Sequence, residues 1–122
     1  MRYVQNTTAE KDWKLFRKKL PGWQENYMNR LNKGYMEILS QEGKNPSDIF
    51  WELDSRIKRD KKLTGVVVHD MSRSNMYEHL IDLLMENAIT LDDLSDFSKD
   101  LQERLRWLVK PEERKGNDGV QM

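Results

Sequence analysis

The chain has 122 residues, with 21 Lys+Arg against 21 Asp+Glu, a formal net charge of +0, two histidines and no cysteine. That length is one small domain, and the absence of cysteine excludes disulfide scaffolds, thiolate zinc sites and cysteine nucleophiles. At 34% charged and a mean hydropathy of −0.91 it is polar for a globular protein, yet four tryptophans and four tyrosines argue for a folded core.

From the N-terminus, Trp13, Phe16, Leu20, Trp23, Tyr27, Leu31, Tyr35 and Ile38 recur every three or four residues. They form one apolar stripe with the α-helical period. Thr7 and Glu10 have the spacing of a capping box. Pro21 would ordinarily break a helix, but the stripe keeps its phase across it. The spacing therefore predicts one long helix, about 8–42, kinked near Pro21 and roughly 50 Å long; the alternative is two helices with Pro21 in the first turn of the second. Gly43 closes this helix, and Asn45-Pro46-Ser47-Asp48 opens the next with an N-cap residue, proline at N1 and an acid in the first turn. Its expected core face is Ile49, Phe50, Leu53 and Ile57, running to about Lys62 with a stop at Gly65.

Val66-Val67-Val68 is β-branched and reads as a short extended segment. Ser72 or Ser74 then caps a helix carrying Met76, Leu80, Leu83 and Leu84, and a connection through Asn87 leads to Thr90. Thr90 and Asp93 repeat the capping-box spacing and start a last helix presenting Leu94, Phe97, Leu101, Leu105 and Leu108 up to Pro111. The expectation is an all-α bundle of four or five helices in a single domain, 1–110. The segment 111–122, charged and poor in large apolar residues, is expected to be a disordered tail.

Catalytic and metal-binding patterns are missing from this sequence. His69 and His79 lack the spacing of a HExxH pair, and no GxxxxGK[ST], GxGxxG or GxSxG occurs. Asp92, Asp93, Asp96 and Asp100 do not have calcium-loop spacing. The expectation is a non-enzyme with no cofactor and no metal. No apolar run approaches the ~20 residues of a membrane span, and the first ten residues lack a signal-peptide core. A cytoplasmic protein without membrane contact is expected.

The zero net charge hides a division. Residues 1–62 hold 14 Lys+Arg and 9 Asp+Glu, whereas residues 63–122 hold 7 and 12. Trp51 lies about 160° from Leu53 on a helical wheel, on a basic face with Lys58 and Lys62; Lys11, Lys14 and Lys18 share a face of the first helix. In the last helix Asp92, Asp96, Asp100 and Glu103 share an acidic face with Trp107. Tryptophan off a core stripe is a hallmark of interfaces. The bland alternative is two solvated faces whose tryptophans pack on neighbouring helices.

Three functional readings follow: pairing of the chain with itself as a homodimer, with Val66–Val68 adding a strand across the axis; docking of a protein partner on the acidic face, a row of carboxylates imitating a phosphate track; and, as second choice, nucleic-acid binding by the basic face with Trp51 stacking.

The stretch KDWKLFRKKLPGWQENYMNRLNKGYMEIL at 11–39, with MSRSNM at 71–76 and AITLDDLSDFSKDLQERL at 88–105, resembles a group of small uncharacterised helical proteins of Gram-positive bacteria. Some of that group carry a multidrug-transporter label, which fits poorly with a chain lacking any apolar run of spanning length. The resemblance implies a cytoplasmic bacterial accessory protein and brings no catalytic residues. An inhibitor of a nucleic-acid-binding protein such as a nuclease would be one form of the acidic-face reading.

Overall fold

A computed structural model describes residues 7–109, and all regular structure among them is helical. The elements are α1 (Thr8–Leu39), α2 (Pro46–Asp60), α3 (Met76–Met85) and α4 (Lys99–Val109), with 3₁₀ turns at Arg73–Asn75 and Leu91–Leu94. The expected tail beyond Pro111 lies outside the described residues.

Helix α1 is continuous through Pro21. Proline removes the N–H that would bond to the Arg17 carbonyl, but Pro21 and Gly22 lie on the exposed side, so the defect faces solvent and the buried stripe passes it intact. All eight stripe residues are buried or half-buried. Thr7 Oγ1 accepts the Glu10 N–H at 3.1 Å, the first half of a capping box. The second half is absent, because the Glu10 carboxylate is taken by Arg73, whose Nε and Nη2 each donate at 2.9 Å. Arg73 thereby holds the Glu10 carboxyl below the usual carboxylate range.

Contacts along α1 fix the path of the rest of the chain. Arg73 reaches Glu10, the His79 ring stacks on Phe16 at 6.4 Å, and the Arg30 guanidinium donates to the Ala88 carbonyl at 3.1 Å. Helix α3 therefore runs in the same direction as α1. It stops at Asn87, left-handed at φ 62°, with Ala88 N–H donating to Leu83 O at 2.8 Å and Asn87 N–H to Leu84 O at 3.0 Å. That is a Schellman end. The chain then descends, placing Phe97 against Trp23 at 6.2 Å and Asp96 beside Lys19 at 3.4 Å.

The core lies between the first two-thirds of α1, α3 and the 88–105 segment. Phe16, Leu80, Leu83, Leu94, Leu101 and Leu105 are completely enclosed.

Five expectations are corrected here. The last helix does not begin at Thr90. The Thr90–Asp93 capping box forms, but it closes only the Leu91–Leu94 turn. A second start intervenes at Ser98, whose Oγ accepts the Leu101 N–H at 3.2 Å while the buried Asp12 carboxylate accepts Ser98 N–H at 3.0 Å and Ser98 Oγ–H at 2.7 Å. Val66–Val68 is not a strand: Val66 and Val67 both donate to the Leu63 carbonyl at 2.9 Å, turning the chain. The Glu86 carboxylate takes the neighbouring Thr64 and Gly65 N–H groups at 3.0 and 2.9 Å, and a lone segment has no ladder partner among the described residues. Helix α1 ends at Leu39 and α2 at Asp60, each short of the expected boundary, and Phe50, assigned to the core face of α2, stands outside the core.

Candidate functional site

Helix α2 folds back on the last third of α1 as an antiparallel hairpin. Its N-terminus is set by Pro46 at N1 and Asp48 in the first turn, after a loop in which Gly43 takes φ 80°. Gln41 Nε2 donates to Glu52 Oε1 at 2.9 Å and Lys44 Nζ reaches the same oxygen at 3.3 Å, which holds the Glu52 carboxyl below its ordinary range. At the other end, Tyr35 donates its hydroxyl to Asp60 Oδ2 at 2.6 Å. Asp60 is the buried residue of α2.

Burial, and then the neighbouring Asp60 carboxylate, push the Tyr35 phenol up to about 12 from an ordinary value of 10. The folded state thus holds its proton where the unfolded state has lost it, so stability falls as pH rises from 10 towards 12. Tyr27 and Tyr77 are raised in the same sense by burial and add to the slope. Urea midpoints measured across this range should fall steeply for the wild type and less so for Tyr35→Phe; identical slopes would show that this hydrogen bond carries no part of the effect.

What distinguishes the hairpin is how little of its apolar surface the rest of the chain covers. Ile49, Leu53 and Ile57 are only half-buried and none of them joins the core cluster. Phe50 and Trp51 are 62% and 61% exposed and meet edge-to-face with centroids 5.0 Å apart. On α1, Met36 and Leu39 are 64% and 57% exposed. A hollow of about 210 Å³ opens between Leu31 and Tyr35 on α1, Ile57 and Lys61 on the α2 side, and Val66. Scattered exposed apolar residues are ordinary, but a cluster of this kind marks an interaction surface.

The expected basic face divides in two. Trp51, Lys58 and Lys62 are exposed along one strip of α2 and its continuation, with Lys58 tied to Asp54 at 3.2 Å. Lys11, Lys14 and Lys18 are also exposed, but on the first third of α1. Lys18 is 17 positions before Tyr35, the partner of Asp60, roughly 25 Å along the axis, while the chain after Lys62 runs back to Gln24, whose Nε2 donates to the Thr64 carbonyl at 3.1 Å. Nearby, Trp13 is buried, with the Arg17 and Arg73 guanidinium carbons 5.3 and 5.7 Å from its ring centroid.

The expected acidic strip is likewise not one helix face. Asp92 lies in the Leu91–Leu94 turn and Asp96 in the descending segment, paired with Lys19. Asp100, Glu103 and Trp107 do belong to α4, all exposed, with Asp100 3.5 Å from Arg104. A larger hollow of about 410 Å³, between Leu84, Met85, Ile89, Leu91, Asp92 and Val109, opens near the end of α4.

Among the described residues no group of three or more His, Asp and Glu side chains is placed to hold a metal. His79 Nε2 donates to the Asp70 carbonyl at 2.8 Å, a structural use. No helix of the described residues is long and apolar enough to cross a membrane. Compared with protein-family models, curated proteins and solved structures, the chain shows no significant match.

The residues that periodicity alone misplaces or passes over are Met36, Leu39, Leu108, which is expected on the apolar face of the last helix but is exposed, and Phe50. A signal for the last was present: Phe50 adjoins Trp51, and two neighbouring large aromatics on one amphipathic helix cannot both face a single partner helix.

Proposed function

We propose that this chain is a non-enzymatic interaction protein that works by docking another macromolecule, an accessory role of the kind its resemblance to small Gram-positive proteins implies. The observation that carries this reading is that α2, an amphipathic helix, buries none of its five large apolar side chains fully within its own chain. Large exposed aromatics are costly to solubility and are the usual anchors of protein interfaces. In its narrower form, inhibition of a nucleic-acid-binding partner, the reading rests on Asp100, Glu103 and Trp107 of α4.

The docking arm is tested by parallel capture from the native host with wild-type chain and a Phe50→Ala/Trp51→Ala double variant. Each anchor is expected to contribute ~2 kcal/mol of binding, so a protein held by the wild type should be lost with the variant. Identical capture by both would sink the proposal.

Nucleic-acid binding is the second reading, favoured by the exposed strip of Trp51, Lys58 and Lys62. It requires binding of short single strands at low salt that weakens steeply as salt rises. No binding at low salt removes it.

A further inference from the structure

Building on the reading of the α1–α2 hairpin as a docking surface, we propose that its occupant is the same hairpin of a second copy of this chain, paired about a two-fold axis with the two α2 helices antiparallel.

The charge along α2 points to that occupant. From Pro46 to Ser55 the charged residues are Asp48, Glu52 and Asp54, all acidic. From Arg56 to Lys62 they are Arg56, Lys58, Arg59, Lys61 and Lys62, with the single acid Asp60 turned inward onto Tyr35. Asp60 aside, α2 is therefore acidic in its first half and basic in its second half and just beyond it, with Glu52 held by Gln41 and Lys44 and Asp54 paired with Lys58 of its own helix when the chain is alone. Two such helices laid antiparallel bring each acidic half against a basic half, and laid parallel they repel. A two-fold axis generates the antiparallel arrangement from one sequence. The same order of charges also complements the helix's own dipole, but the dipole gives no reason for the apolar residues between them.

Those residues complete the fit. Phe50 and Ile57 are seven positions apart, so they lie within ~20° of one another on the helix and face the same way. The 210 Å³ hollow opens beside Ile57 and Lys61; an apolar cavity of ~150 Å³ is enough to hold a benzene ring. Antiparallel pairing carries each Phe50 towards the other copy's hollow, and Asp54 towards the other copy's Lys58. Leu39, the last residue of α1, is exposed as well.

The test is the mass of the full-length chain in solution, by light scattering and sedimentation from low micromolar to near-millimolar concentration. The wild type should rise from 14.6 kDa towards twice that value. Phe50→Glu, outside the core and so without effect on helical circular dichroism, removes the anchor from both copies and should weaken self-association by roughly several hundredfold or more, equivalent to the loss of two anchors of ~2 kcal/mol.

Charge exchange gives the sharper arm. A more acidic variant (Lys58→Glu/Lys61→Glu) and a more basic variant (Asp48→Lys/Asp54→Lys) should each pair more weakly alone than the wild type and form a dimer when mixed. A wild type that stays at 14.6 kDa at every concentration overturns self-pairing, while the hairpin would still be testable as a dock for a different protein. A dimer unaffected by Phe50→Glu and by both charge variants overturns the assignment to this surface.

Discussion

Gly65→Ala is expected to destabilise the fold by about 1–3 kcal/mol, the usual range for forcing extra volume into a packed site. A Cβ at this position would fall inside van der Waals contact with three atoms of the Tyr27 ring. The ring cannot easily move: it is buried, and the Arg30 guanidinium carbon sits 5.3 Å from its centroid. Nor is the backbone at fault, since Gly43 is the glycine with positive φ among the described residues and Gly65 is not. The Gly65 N–H also donates to Glu86, so displacing the turn disturbs a second contact. In thermal unfolding each kcal/mol should lower the midpoint by about 4–8 °C for a domain near this size. A combined Tyr27→Leu/Gly65→Ala variant should lose less than the sum of its parts. An unchanged midpoint for Gly65→Ala would refute the close approach.

The second large effect is expected at Asp12. Its carboxylate is 5% exposed as a residue and accepts both the backbone N–H and the hydroxyl of Ser98. Hydrogen bonds to a charged group contribute about 1.5–3 kcal/mol, and a buried donor left unpaired costs about as much. Asp12→Ala should therefore destabilise by about 2–3 kcal/mol. Asp12→Asn, which keeps one acceptor oxygen for the Ser98 N–H, should fall between it and the wild type. Ser98→Ala removes the N-cap of α4 and should cost about 1 kcal/mol. Because the two residues act through one contact, the double variant should be less unstable than the sum of the singles. Strict additivity in urea unfolding would contradict the coupling.

Asp12 also shows where a sequence stops being legible. Between Lys11 and Trp13 it looks like one more charge on a polar flank, and its partner lies 86 positions away. Asp60, whose partner Tyr35 lies 25 positions back, is hidden for the same reason. The long α1 was legible because an apolar stripe with constant period leaves few alternatives, even across Pro21. The Thr90–Asp93 box was legible because capping is local. Its consequence was not: Leu94 and Phe97 keep helical spacing with Leu101 although a turn separates them, since the descending segment packs on the same core. Ser98 before Lys99-Asp100 was the local sign of the second start. Phe50 reveals a different limit. Periodicity identifies which face of a helix is apolar, but not whether the surface that covers it belongs to the same molecule.

The parallel course of α1 and α3 has a kinetic consequence. Helical proteins ordinarily fold fast because their contacts are local. Here the contacts that cover the first two-thirds of α1 span 58, 63 and 86 positions. During synthesis Trp13, Phe16 and Leu20 must therefore wait for α3 and then for Leu101 and Leu105 before their core is complete, and a chain cut before α4 leaves that core open on one side. The α1–α2 hairpin closes over separations of only 11 and 25 positions. It is the unit able to form first, so the proposed docking surface is in place while the remainder of the domain is still being assembled.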